Sequence, residues 1–234
     1  RYLMTSLAEN LIPVRNLRPP QTRYLKGVKP PSLNMLKRGK QNKKLGDKVT
    51  VKMWKGMTLY SLSLEERATC PSDCEQWDNC YGDNMPFAHR FNHNGNNFID
   101  YLGVQLDQLN DKHPDGFVVR LHVLGDFYDG KYIVQWQIWL NQFENLRVFG
   151  YTHHKADTQL GNMINNVNRL HPQQFRIRYS DDDSTPFNAS VVQTSAEALA
   201  RPGIVCPEQS NFTDTCATCG YCWSSDQAVV FYEH

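Results

Sequence analysis

Between residues 117 and 193 apolar runs alternate with apolar helical faces. Residues 117–124 (FVVRLHVL) read as a strand, ended by Gly125-Asp126. Residues 131–143 place Ile133, Trp136, Leu140 and Phe143 at helical spacing, with Trp136 and Trp139 as core residues. Residues 146–151 predict a second strand. Residues 158–170 predict a second helix, with Leu160, Met163, Ile164 and Val167 apolar. Residues 175–179 and 189–193 predict two more strands. Strands that alternate with helices are βαβ units, so the expected fold is α/β with a parallel, helix-covered sheet.

Either side of this stretch the pattern is weaker. Residues 48–54 (KVTVKMW) alternate, with Val49, Val51 and Met53 on one side, and predict a strand. Residues 86–109 predict a helix carrying Phe98, Leu102, Leu106 and Leu109 on one face, although Gly95 weakens its first half. Residues 1–47 are rich in Pro, Lys, Arg and Asn and read as a basic extended arm. Residues 48–200 then form the α/β core with a first cysteine loop, and 201–234 a C-terminal cysteine-rich module ending in apolar 228–232.

Composition narrows the class. A hydrophobic content of 40% supports a packed core and excludes a disordered chain. No apolar run approaches the roughly 18 residues that cross a bilayer, so no membrane partner is expected. The N-terminal residues lack a signal-peptide pattern, which points to the cytoplasm, a host's if the protein is viral. Charge is lopsided: residues 1–56 hold 14 Lys and Arg against two acids, Glu9 and Asp47, while the rest of the chain is acidic. Such a split suits either a nucleic-acid partner or docking of the arm on its own acidic body.

Chemistry gathers at the cysteines. Cys70, Cys74 and Cys80 form one group; Cys206, Cys216, Cys219 and Cys222 form another; residues 81–205 contain none. An odd count in two tight groups reads as metal ligation in a reducing compartment, not as a disulfide scaffold. Cys216-x2-Cys219-x2-Cys222 with Cys206-Pro207 is the more specific signal, because three thiolates two residues apart on a curled loop reach neighbouring corners of a 4Fe–4S cluster. Gly220 permits that curl. A structural zinc is the alternative, though zinc usually takes two separate Cys-x2-Cys knuckles. Cys70, Cys74 and Cys80 supply three thiolates, which on a cubane leave one iron open. His89 and His93 would complete a zinc site there, or are simply solvated. One or two clusters, and a redox partner, follow from this division.

Ligands of parallel sheets sit beyond the carboxyl ends of strands. Gly125-Asp126 and Tyr151-Thr152-His153-His154 occupy such ends. Gly125 would let a ligand approach the backbone and Asp126 would accept from an amino group; the alternative is a plain strand exit and helix cap.

The order Cys70-Pro71…Cys74…Cys80-Tyr81, His122-x2-Gly125-Asp126-Phe127-Tyr128, Tyr151-Thr152, Cys206-Pro207…Cys216-x2-Cys219-x2-Cys222-Trp223 resembles the "gene product 88" family of bacteriophage and plasmid proteins. That family is a suspected relative of radical S-adenosylmethionine enzymes. The resemblance implies a partial (β/α) barrel, with Cys70, Cys74 and Cys80 as the cluster loop and Gly125-Asp126 as the motif that holds S-adenosylmethionine. The cluster loop here is longer, and Leu124-Gly125-Asp126 stands where those enzymes have Gly-Gly-Glu. The leading expectation is an iron–sulfur protein of phage type. The alternative is a zinc-stapled nucleic-acid-binding protein that uses the basic arm.

Overall fold

The computed structural model describes residues 21–233. In chain order the elements are β1 (Val28–Lys29), β2 (Lys37–Arg38), β3 (Thr58–Ser61), β4 (Arg90–Phe91), α1 (Phe98–Lys112), β5 (Phe117–Arg120), α2 (Gly130–Gln142), β6 (Leu146–Thr152), α3 (Gln159–Leu170), β7 (Phe175–Ser180), β8 (Asn188–Val192), α4 (Ser195–Ala200), β9 (Ile204–Val205), α5 (Cys216–Cys219), α6 (Tyr221–Ser224) and β10 (Val229–Tyr232). One sheet runs β2-β3-β5-β6-β7-β8-β10-β9 and is parallel except where β2 meets β3; β1 and β4 pair separately. The fold is α/β with a mostly parallel central sheet, as the alternation of patterns requires.

Each strand sorts its side chains by parity. Phe117 and Val119 of β5 join Val148, Phe175 and Ile177 in a core closed by Leu102, Leu106, Ile133, Trp136, Leu140, Ile164 and Val167 of α1, α2 and α3. Val118, on the other face, packs with Leu59, Phe149, Leu45, Trp54, Ala217 and Trp223. The second face is therefore covered by segments from both ends of the chain. Helix starts are fixed locally: the side chains of Asp129, Thr158 and Thr194 accept from the backbone N–H groups of Tyr132, Gly161 and Glu197.

Strand starts shift along the sheet. Phe117 pairs with Leu146, but Phe175 pairs with Val148, and Asn188 only with Tyr179 near the end of β7. Because β8 begins where β7 is ending, residues 181–187 join two parallel strands without a crossover helix. Among the described residues the sheet stays open, with β2 and β9 at its edges.

Several expectations need correction. Residues 48–54 are not a strand. Val49 and Met57 bond across a tight excursion that contains the 3-10 turn Lys52–Trp54 and Gly56 at φ +95°. The true strand is β3. The helix expected from residue 86 starts at Phe98, because Arg90 and Phe91 pair with β1. The strand from Phe117 stops at Arg120; His122, at φ +51°, turns the chain off the ladder. Of the expected arm, residues 1–20 lie outside the described residues. Residues 21–47 are packed down: Met35 and Leu45 are buried, and Met35 and Leu36 both donate to Gln105 Oε1. Within residues 201–233, β9 and β10 join the main sheet beside β8.

Candidate metal centre

The carboxyl ends of the strands, with the loops that follow them, enclose a cavity of about 400 Å³. Six of the seven cysteines border it: Cys70, Cys74 and Cys80 from the first group, and Cys206, Cys216 and Cys222 from the second. Arg120, Phe149 and Tyr151 contribute from β5 and β6, and His122 and His153 from the residues just beyond. Groups separated by more than half the chain thus meet at one place.

The first cysteine loop is held by two buried ion pairs. Arg90 donates to Glu66 at 2.7 Å, and also to the carbonyls of Gly82 at 2.8 Å and Met85 at 2.9 Å. Arg67, at φ +65°, grips Asp83 with both ends of its guanidinium, at 2.9 and 2.7 Å. Between them run short turns: Cys74 N–H donates to Pro71 O, and Asp83 N–H to Cys80 O.

The tail loop is held differently. Cys206 N–H donates to Val230 O, and Cys216 N–H to Lys44 O, so strand β10 and the segment before β3 both position thiols. Thr215 caps α5, and Gly220, at φ +65°, turns the chain into α6. Trp223 stacks on Trp54, with centroids 5.4 Å apart. Arg178, fully buried, donates to the carbonyls of Cys222 at 2.9 Å, Gln227 at 2.8 Å and Ser225 at 2.6 Å. Tyr151 Oη donates to Cys222 Sγ at 2.9 Å.

Burial sets the protonation of these thiols. It pushes Cys74 up to about 12 and Cys70 well above its usual value, and it raises Cys80, Cys206, Cys216 and Cys222 as well. Without a metal all six hold their protons at neutral pH; a cationic metal displaces them. Among the described residues no group of three or more His, Cys, Asp or Glu is arranged to hold a metal ion. Four thiolates on one zinc stand within about 3.8 Å of each other, from Zn–S bonds of about 2.3 Å. Six thiols nonetheless border one cavity, and thiolate is the soft donor type that zinc and iron–sulfur clusters both take.

The expected ligand-holding pair divides. Gly125 borders the cavity at φ +84°, and a Cβ there would lie 2.6 Å from Thr69 Oγ1, so the close approach of two strand exits requires glycine. Asp126 is buried, with both carboxylate oxygens engaged. Oδ1 accepts from Phe127 N–H and Thr152 Oγ1; Oδ2 accepts from His153 N–H. It stitches the end of β5 to the end of β6 and thereby sets the rim. His89 is exposed, and His93 packs on Tyr128 with centroids 4.5 Å apart; neither borders the cavity. Sequence reasoning missed Arg120, although a lone charge inside FVVRLHVL was a visible signal.

His122 is buried and neutral; desolvation lowers its pKa to about 3. The unfolded chain binds its proton near 6.5, so stability is complete above that value and falls as pH drops from about 6.5 towards 3, by about 1.4 kcal/mol per pH unit for this group. Urea midpoints measured against pH are expected to show this slope, flattened in His122→Gln.

Compared with protein-family models, curated proteins and solved structures, the chain matches none. Among the described residues no helix is long and apolar enough to cross a membrane.

Proposed function

We propose that this chain is an iron–sulfur protein of the phage "gene product 88" type, with six of its seven cysteines on the walls of a shared chamber and Cys219 just outside its lining. The observation that carries the reading is the convergence of six cysteines, from two distant segments, on one cavity at the carboxyl ends of parallel strands. Cys206, Cys216, Cys219 and Cys222 would hold one 4Fe–4S cluster, and Cys70, Cys74 and Cys80 a second with one iron open. Such clusters supply one-electron chemistry, and an open iron takes a substrate or S-adenosylmethionine. The staggered strand starts support an incomplete (β/α) barrel, the architecture that this chemistry resembles.

The chain's own part is to orient: Tyr151 donates to Cys222 Sγ, and Arg178 fixes the backbone beside it. Zinc-stapled nucleic-acid binding is less supported, because Arg23, Arg38 and Lys44 already pair with Asp83, Asp47 and Glu208.

Anaerobic purification with iron and sulfide analysis tests the reading. About eight of each per chain are expected for two cubanes, falling to about half in Cys216→Ser. An iron-free, zinc-replete protein would overturn it.

A further inference from the structure

We propose that the cavity between the two cysteine groups is a chamber for a small organic acid, an apolar or aromatic body whose carboxylate is held by Arg120. This rests on the iron–sulfur reading only in taking the cavity as the place where chemistry is done.

Arg120 closes β5 and borders the cavity. Its guanidinium lies over the Tyr151 ring, 4.5 Å from the centroid, and 5.6 Å from that of Phe149. One Nη1 hydrogen bond goes to the Leu121 carbonyl. Among the described residues no carboxylate lies within ion-pair distance of it, whereas Arg38, Arg67, Arg90, Arg176 and Arg201 each pair with an acid. Two acids border the same space: Glu66, taken by Arg90, and Glu233, just after β10, which is not within ion-pair distance of Arg120.

A guanidinium has five N–H donors in a planar fork that matches a carboxylate. Placed among aromatic rings without a counter-charge it is costly, and an anion removes that cost. The surroundings set the rest of the ligand. Phe149, Tyr151 and Phe231 line the space, which favours an apolar or aromatic acid small enough to share about 400 Å³ with whatever the six cysteines hold. His122 and His153 border it as imidazoles that burial keeps neutral, so they do not compete for the acid as cations.

Titration calorimetry on the anaerobically isolated full chain decides the matter, with phenylacetate and its neutral counterpart phenylacetamide as probes. Phenylacetate is expected to bind at least about tenfold more tightly than the amide. Arg120→Gln should lower phenylacetate affinity by a similar factor and leave the amide unchanged. Val191→Phe, which fills the cavity without touching the charge, should abolish binding of both. Equal affinity for the two probes overturns the inference, as does phenylacetate binding that survives both variants. So does an Arg120→Gln protein in which only the cluster's reduction potential moves, since Arg120 would then balance the cluster's charge. Iron measured on the same samples keeps the two ideas apart. An iron-free chain that binds phenylacetate through Arg120 refutes the cluster reading alone, and an iron-loaded chain that ignores the acid refutes this inference alone.

Discussion

Arg178→Met is expected to strip the tail of iron while the first cysteine group stays loaded. Arg178 is buried; its hydrogen bonds go to backbone carbonyls of the tail, those of Cys222, Ser225 and Gln227, and its guanidinium lies over the Tyr221 ring. Hydrogen bonds to a charged donor contribute about 1.5–3 kcal/mol each, and carbonyls left buried without partners add their own cost. Allowing for local relaxation, a loss of about 3–5 kcal/mol follows, enough to release α6, which carries Cys222, and the turn after it. Iron per chain should fall by about half and the urea midpoint should drop. Arg178→Lys should not rescue it, because one compact ammonium does not reach three diverging carbonyls. Full iron retention in Arg178→Met would show that the loop is held elsewhere.

Arg90→Met is expected to do the same to the first group. Its guanidinium is wholly buried against Glu66 and closes over the Gly82, Met85 and Ala88 carbonyls. Breaking such a pair leaves an uncompensated carboxylate and costs about 3–5 kcal/mol. The double variant Glu66→Gln, Arg90→Met should be less damaged than Arg90→Met, since it removes the stranded charge as well. Urea denaturation with iron analysis reads both effects. A double variant no better than the single would mean that the carbonyl contacts matter more than the ion pair.

The βαβ centre was legible because periodicity and burial agree there: β6 and α3 fall within a residue or two of their expected bounds. β3 was not. Residues 48–54 alternate more plainly than Thr58–Ser61, yet Gly56 and the burial of both Val49 and Trp54 turn them into an excursion. The two cysteine groups were legible from spacing alone; that six of the seven thiols border one cavity was not. What holds them was not. Arg176 and Arg178 alternate with Phe175, Ile177 and Tyr179, a pattern that normally marks a solvent face; only the tail folding back over that face buries Arg178. Asp126 was visible as a strand-end acid, but whether its oxygens face a ligand or the next strand depends on Thr152 and His153, and contacts at that range leave no trace in local pattern.

Strand β10 lies between β8 and β9, and β9 pairs with β10. If β10 lifts from β8, β9 and Cys206, both bonded to β10, leave the sheet with it. Cys216, bonded to Lys44, and Cys222, bonded through its carbonyl to Arg178, have moorings that do not run through β10. Opening at that edge of the sheet consequently uncovers one cavity thiol, Cys206, ahead of the other five.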